Sequence, residues 1–236
     1  MPTSTRNRPA RPRATARSGG GRGTRSLLRW GVAALLVALL GAAATLVGGG
    51  REQPAGDSAG NPSGYAYQTG EPGLGQPAPP IQLSAASGDR FDLSGVRGET
   101  VLLYFQEGLM CQPCWDQLAG VESRWADFER LGIDQVVTIT TDSQGALSQK
   151  ADIEGLTSTI LGDPDQQVSR AYGTLDYGMM RGSANGHTFI VVDPQGRITW
   201  RADYGGAPDY TMYLPVDGLL ADLRAGLNAQ APAEES

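Results

Sequence analysis

The two cysteines of this chain constrain its fold more than any other feature. Cys111 and Cys114 are separated by two residues, and the 236-residue chain contains no other cysteine. They follow an apolar run, Val101–Phe105, which is typical of a strand buried within a sheet, and they precede a stretch with helical apolar spacing. In the first turn of a helix two such Cα atoms lie about 5–6 Å apart, as a disulfide requires, and the helix dipole favours a thiolate. The pattern therefore predicts a redox-active pair at a strand-to-helix junction.

A structural disulfide and a zinc site are the alternatives for this pair. A loop closed over two intervening residues removes only about 2 kcal/mol of unfolded-state entropy, and a domain of this size needs no such link. A zinc site needs about four ligands, whereas the chain has one histidine and no second cysteine pair. The C-x-x-C-H pattern of haem attachment fails because Trp115 follows Cys114, and the sequence has no phosphate-binding glycine loop. We therefore expect neither a metal nor another cofactor.

The amino-terminal residues predict a membrane anchor. Residues 1–29 carry eight arginines and no acidic residue, without apolar periodicity, so a disordered basic tail is expected. Residues 30–47 contain no charge and are long enough to span a bilayer, which predicts a transmembrane signal anchor over 30–50. Because the arginines precede it, we expect a single-pass cell-membrane protein with a cytoplasmic amino terminus and an extracytoplasmic redox domain. A signal peptide cleaved near Ala42–Ala44 is the alternative.

The remainder of the chain divides into a linker, one domain and a short tail. Residues 51–73 are rich in glycine, proline and serine and predict a flexible linker. Residues 74–229 have the length and pattern of one α/β domain, and residues 230–236 are expected to be disordered. Residues 52–236 carry ten basic and twenty-five acidic residues, a formal charge of −15, so nucleic acid is not an expected ligand.

Strand and helix patterns alternate along the predicted domain. Strands are predicted over residues 81–83, 91–93, 101–105, 135–140, 158–161, 188–192 and 198–202. Helices are predicted from near Trp115 to near Gly132, over residues 143–154, from an N-cap at Asp163 to Gly173, and over residues 215–228. The alternation implies a central sheet covered on both faces, with the cysteines at the carboxyl end of a strand.

Five segments occur in the order found in a known family. They are Gly75–Leu83, Phe91–Gly98, Val101–Phe105, Gly162–Gly173 and Thr188–Gly196, which together span about residues 74–203. With the cysteine pair they resemble the redoxin or alkyl hydroperoxide reductase/thiol-specific antioxidant family of the thioredoxin superfamily. The resemblance implies a thioredoxin-like α/β fold, a central mixed sheet flanked by helices. It also implies redox chemistry on a protein disulfide or dithiol, or on a hydroperoxide, with an external thiol or other electron donor.

The peroxiredoxin branch of that superfamily carries a Pro-x-x-x-Thr-x-x-Cys motif, which this chain does not reproduce. If Cys111 is the peroxidatic thiol, Tyr104 and Gly108 stand at the proline and threonine positions. If Cys114 is that thiol, Glu107 and Cys111 stand there. The arginine that usually precedes the Thr-Phe strand is also missing.

The thioredoxin-like reductases require a cis-proline facing the disulfide, where this chain has Gly186 and His187. The intact cysteine pair favours thiol–disulfide exchange, whereas the flanking segments resemble peroxiredoxins. The first hypothesis is therefore a membrane-tethered thiol–disulfide oxidoreductase, and the second is a thiol peroxidase that uses the same cysteines. A third is a non-catalytic redoxin-like binding domain with a static disulfide.

The two cysteines have different expected roles. Cys111, near the helix N-terminus, is expected to attack, and Cys114, one turn deeper, is expected to resolve the mixed disulfide. Pro113 suits the first helical turn because it has no N–H to satisfy. Gln112 is expected to be exposed, and Trp115 is expected to pack against the site.

Two further residues and two loops have alternative roles. His187, the single histidine, is either a base or proton donor for Cys111 or a partly buried histidine bonded to backbone. Glu107 either relays protons to a buried thiol or is a solvated loop carboxylate. The segments Tyr177–Met180 and Tyr204–Leu214 either form an apolar lip that grips a partner or pack onto the core.

Overall fold

A computed structural model of the protein describes residues 61–230. The predicted basic tail, the predicted membrane anchor over 30–50, the first part of the predicted linker and residues 231–236 lie outside the described residues. Within residues 61–230, no helix combines the length and the apolar character needed to cross a bilayer.

Seven strands form one mixed sheet, in the order β2-β1-β5-β4-β3-β6-β7. The strands are β1 (Gln82–Ala85), β2 (Arg90–Asp92), β3 (Val101–Phe105), β4 (Gln135–Thr140), β5 (Thr159–Gly162), β6 (Thr188–Val192) and β7 (Ile198–Asp203). The central strands β3, β4 and β5 are parallel, and the outer pairs are antiparallel. All seven predicted strands are confirmed, with ends shifted by at most two residues.

Both faces of the sheet are buried, which explains the continuous apolar runs. Every residue of β3 is buried. Leu102 and Tyr104 face one hydrophobic cluster, whereas Val101, Leu103 and Phe105 face another. In a strand between two apolar layers, burial of every side chain stabilises the fold. The strand therefore shows a continuous apolar run rather than alternating apolar and polar residues.

Five helices cover these faces. They are α1 (Gln112–Ser123), α2 (Trp125–Glu129), α3 (Gln144–Glu154), α4 (Gln167–Ala171) and α5 (Val216–Asn228). Side chains of α1, α2, α3 and α5 join the first cluster, and α4 contributes to the second. The expected sheet with helices on both faces is confirmed.

The helix after the cysteines differs from its prediction in its middle. It begins at Gln112, with Cys111 as its N-cap, so its first turn holds the cysteine pair as predicted. It also ends at Ser123, since Arg124 leaves the helical region with φ −114° and ψ 20°. The Arg124 N–H bonds to the Val121 carbonyl three residues back, which tightens the last turn.

The helix predicted to start at Pro164 starts instead at Gln167. Residues 163–166 form a turn in which the Gln166 N–H donates to the Asp163 carbonyl and Gln166 has a positive φ of 57°. Asp163 still caps the helix, because its carboxylate accepts the N–H and the hydroxyl of Ser169 at 2.7 Å each.

The chain packs against the sheet before the predicted domain boundary at residue 74. Tyr67 lies edge-on to Trp200 and Tyr204, with ring centroids 6.1 and 5.2 Å away. The Gly70 N–H donates to the buried Asp203 carboxylate at 2.7 Å. Residues 61–73, predicted as linker, therefore belong to the folded domain.

The strand register brings several loops to one edge of the sheet. Phe105, the last residue of β3, pairs with Ile139 of β4 and with Thr188, the first residue of β6. The loop after β3, the loop after β4 and the residue before β6 therefore meet at this edge. This is the edge at which open α/β sheets bind ligands.

Candidate active site

Cys111 and Cys114 form a disulfide at this edge, with an S–S distance of 2.07 Å and a Cα–Cα distance of 5.4 Å. Cys111 is the N-cap residue of α1, and Pro113 lies in the first turn as predicted. Cys111 is 7% exposed and Cys114 is fully buried. Both cysteines are therefore buried, and Cys111 is the more exposed of the two.

The loop before the disulfide is fixed by the carbonyl of Gly108. This carbonyl accepts the Cys111 N–H and the Trp115 indole N–H, both at 3.0 Å. Trp115 is fully buried, so the expectation that it packs against the site is confirmed. The indole holds the loop against the first turn of α1.

Asp142, which follows β4, supports the same loop. Its Oδ2 accepts the Leu109 N–H at 2.9 Å and the Thr140 hydroxyl at 3.0 Å. Gly108 has a positive φ of 92°, and a Cβ placed there would overlap this carboxylate oxygen. The backbone of the loop thus passes directly against the Asp142 side chain.

Tyr104 and His187 form a buried pair beneath the disulfide. The Tyr104 hydroxyl lies 3.0 Å from His187 Nδ1 and 3.2 Å from the Cys114 carbonyl oxygen. Both contacts are satisfied if His187 Nδ1–H donates to the tyrosine oxygen and the hydroxyl donates to Cys114, a tautomer assigned from this network. His187 Nε2 is then left without a hydrogen-bond partner.

Burial keeps both members of this pair neutral. It lowers the pKa of His187 to about 3 and raises the pKa of Tyr104 well above its usual value, with a further increase from the charge of Glu107. At neutral pH His187 therefore offers no positive charge to a thiolate. His187 is fully buried rather than partly buried. Its ring bonds to the Tyr104 side chain rather than to the backbone. Its backbone carbonyl accepts the N–H groups of residues 204 and 205.

Glu107 contacts the backbone of another loop. Its Oε1 accepts the N–H of Met179 at 3.0 Å and that of Met180 at 3.4 Å. The side chain is half-buried, so it is not simply a solvated loop carboxylate. The contact joins the loop before the disulfide to the segment 177–180.

Gln112 is exposed, as predicted, and it joins α1 to α3 through a polar cluster. Its amide donates to Asp116 at 2.9 Å and to Glu154 at 3.2 Å. Lys150, the single lysine of the chain, donates to the Gln112 oxygen at 2.8 Å. The Lys150 ammonium also lies 5.5 Å from the centroid of the Trp115 ring.

Gly186 is, with His187, one of the two residues that stand where the resemblance to thioredoxin-like reductases implies a cis-proline. A Cβ at Gly186 would lie 2.5 Å from the Tyr177 Cβ and 3.0 Å from the Gly178 nitrogen. A larger residue at this position would therefore displace the segment 177–180.

The segments 177–180 and 204–214 each contain both buried and exposed side chains. Tyr177, Tyr204 and Leu214 are buried, and the Gly178 N–H donates to the Gly205 carbonyl at 2.7 Å, which joins the two loops. The large apolar side chains that are exposed in these segments are those of Met179, Met180, Tyr210 and Tyr213. Each segment thus combines core contacts with exposed apolar side chains.

Three residues of the site were not predicted from the sequence. Tyr104 carries a hydroxyl within an otherwise apolar strand, and this isolated polar group could have marked it as a candidate site residue. Asp142 follows β4 as Glu107 follows β3, so adjacent parallel strands place both carboxylates at one edge. Lys150 gave no signal beyond being the single lysine, because its contact depends on how α3 packs beside α1.

Comparison with known proteins identifies the family. The AhpC/TSA family model matches residues 74–201. A peroxiredoxin of Mycobacterium tuberculosis is 32% identical over 127 residues, which cover 52% of this chain and 80% of that protein. Peroxiredoxin Bcp of Escherichia coli is 33% identical over 99 residues, which cover 42% of this chain and 63% of that protein.

Solved structures share the fold. Peroxidoxin BcpB from Mycobacterium tuberculosis superposes with a TM-score of 0.53 at 20% identity, over 64% of this chain and 96% of that chain. Enterococcus faecalis AhpC superposes with a TM-score of 0.56 at 16% identity, over 69% of this chain and 97% of that chain. The expected thioredoxin-like fold with a mixed sheet is thus confirmed. The chain belongs to the AhpC/TSA family and is an enzyme of thiol-dependent peroxidase or oxidoreductase activity.

Proposed function

We propose that the protein is a thiol–disulfide oxidoreductase that cycles Cys111 and Cys114 between dithiol and disulfide. The observation that carries this proposal is the asymmetry of the pair. The disulfide closes across the first turn of α1, with Cys111 slightly exposed, at 7%, and Cys114 fully buried. One sulfur is thus placed to meet a substrate and the other to complete the exchange.

The reduced enzyme reacts in two steps. The Cys111 thiolate attacks one sulfur of a substrate disulfide, forming a mixed disulfide and releasing the other substrate sulfur as a thiolate. Cys114 then loses its proton and attacks Cys111, which forms the intramolecular disulfide and releases the second substrate thiolate. The substrate is reduced by two electrons and the enzyme is oxidised by two. The positive end of α1 favours the Cys111 thiolate.

A hydroperoxide is the second candidate substrate, favoured by the peroxiredoxin relatives. The Cys111 thiolate would attack one peroxide oxygen, break the O–O bond and become a sulfenic acid, while the other oxygen leaves as water or an alcohol. Cys114 would then condense with it, releasing water and forming the same disulfide. We place this candidate second only because neither cysteine is preceded by the proline and threonine of the peroxiredoxin motif at the matching positions.

Single cysteine variants test the proposal. In the reduced full-length chain, Cys111→Ser is expected to lose exchange with oxidised insulin by about a thousand-fold, because the accessible nucleophile is gone. Cys114→Ser is expected to accumulate a mixed disulfide with insulin, which mass spectrometry detects. Unchanged function in both variants would instead indicate a static disulfide. Faster oxidation by hydrogen peroxide than by insulin would make the peroxidase the first candidate.

We further propose that the enzyme is tethered to the membrane with the cysteines outside the cytoplasm. The uncharged residues 30–47 and the arginines before them support this topology. Since Cys111 and Cys114 are the only cysteines of the chain, whole cells treated with an impermeant phosphine and then an impermeant maleimide are expected to label the protein. Labelling only after lysis would contradict the proposed topology.

A further inference from the structure

Glu107 connects two loops that no strand pairing joins. Its backbone lies in the loop between β3 and Cys111, where the Cys111 N–H bonds to Gly108 one residue further on. Its side chain accepts two consecutive backbone N–H groups of the segment 177–180. A carboxylate that accepts backbone N–H groups forms charge-assisted bonds, which are stronger than neutral ones. Glu107 therefore links this segment to the loop before the disulfide, while the bond from the Gly178 N–H to the Gly205 carbonyl holds the segment from its other side.

The side chains held at this place are exposed methionines. Met110, directly before Cys111, is 96% exposed, and Met179 and Met180 are 67% and 54% exposed. We name these three residues the methionine rim. Met110 lies in the loop that carries Glu107, and Met179 and Met180 lie in the segment that Glu107 bonds to. Groups of large exposed apolar side chains mark interaction sites.

We propose that Glu107 is a positioning residue that holds the methionine rim beside Cys111, and that the rim selects polypeptide substrates with apolar residues flanking their cysteine. This inference rests on the proposed exchange at Cys111. Met110 directly precedes Cys111, so the residues that flank a substrate sulfur bound at Cys111 lie on the surface around the disulfide. Methionine is flexible and polarisable, and adapts to apolar side chains of different shape.

A pocket beside Met179 extends the same surface. It has a volume of about 290 Å³, and its lining combines Tyr177, Met179 and Tyr210 with the charged side chains of Asp176 and Arg181. Its two loops are joined by the bond from the Gly178 N–H to the Gly205 carbonyl. In this proposal its occupant is a side chain of the same extended peptide whose cysteine meets Cys111.

Two matched peptides test this selectivity. Each is a mixed disulfide of thionitrobenzoate with a blocked pentapeptide, either Leu-Leu-Cys-Leu-Leu or Ser-Ser-Cys-Ser-Ser. The Cys111 thiolate attacks the peptide sulfur and displaces thionitrobenzoate, whose colour gives the rate. Cys114 then attacks Cys111 and releases the peptide thiolate. The reduced full-length chain is expected to react about ten-fold faster with the leucine peptide, as burial of apolar side chains predicts.

The variants separate positioning from proton transfer. Met179→Gln with Met180→Gln is expected to reduce the leucine-to-serine rate ratio to about one. Glu107→Ala is also expected to reduce it, because the two bonds to the Met179 and Met180 N–H groups are lost. Glu107→Gln is expected to restore the ratio, since its amide oxygen accepts the same two N–H groups although it cannot relay a proton. Leu74→Gln is the matched control and should keep the ratio. Leu74 is also exposed, but it lies next to the start of β7, at the end of the sheet opposite to the disulfide.

Each contrary outcome has a separate meaning. The wild-type chain could form its disulfide with dithiobis(nitrobenzoic acid) but react equally fast with both peptides. That result would contradict substrate selection by the methionine rim, and the proposed exchange reaction would still be supported. A Glu107→Gln variant as impaired as Glu107→Ala overturns positioning in favour of proton transfer. A wild-type chain that closes no disulfide with any of the three reagents contradicts the proposed function itself.

Discussion

The free energy of unfolding of the oxidised chain is expected to fall by about 1.4 kcal/mol for each pH unit between about pH 5.5 and 4.5 because of His187. Burial holds the pKa of this histidine at about 3 in the folded protein, whereas its pKa in the unfolded chain is about 6.5. Between these values the unfolded state binds a proton that the folded state does not. The stabilisation is therefore complete above pH 6.5 and is lost as the pH falls towards 3.

Urea denaturation at a series of pH values measures this dependence. His187→Asn is expected to lose most of the slope, because His187 is the single histidine of the chain. Tyr104→Phe removes the hydroxyl that bonds to His187 but keeps a buried imidazole, so it should keep the slope. Glu154 and the other surface carboxylates with lowered pKa values contribute mainly at lower pH, and equally in all three proteins. Equal slopes in wild type and His187→Asn would contradict the buried neutral histidine.

The strands could be predicted from the sequence because their signal is local. β3 and β6 are buried throughout and mostly apolar, since each lies between two buried layers, and a short, mostly apolar run is typical of such a strand. The helix starts were less predictable. Asp163 is a capping residue in both prediction and structure, but the turn at Gln166, with its positive φ, moves the helix start by three residues. Such a turn depends on surrounding contacts rather than on propensity.

The candidate site was predictable only where its parts are close in sequence. The geometry of Cys111 and Cys114 follows from their spacing and from the helix that holds them. The partners of Glu107 and His187 do not, because they lie 72 and 83 residues away. These contacts are created by the strand order, which places β6 beside β3. The sequence thus identified both residues as candidates, without identifying what they touch.

Gly108→Ala is expected to destabilise the protein by more than about 2 kcal/mol and to slow reaction at Cys111. The residue has a φ of +92°, and its Cβ would overlap Asp142 Oδ2 and lie 3.0 Å from Asp142 Cγ. This carboxylate cannot swing away without cost, because it accepts the Leu109 N–H and the Thr140 hydroxyl. The loop must therefore shift, and the Gly108 carbonyl that fixes Cys111 shifts with it.

Gly98→Ala is the matched control that separates backbone strain from this overlap. Gly98 has a similar φ of +99°, but a Cβ at this position would meet no heavy atom within 4 Å beyond its two chain neighbours, so only the strain of about 1 kcal/mol is expected. Urea denaturation gives the two stability losses, and dithiobis(nitrobenzoic acid) gives the reactivity of Cys111 in the reduced chains. A larger loss and a slower thiol in Gly108→Ala alone would locate the effect in the contact with Asp142. Equal losses and equal thiol rates would mean that the loop before the disulfide adapts, and that its tight backbone is not what sets the position of Cys111.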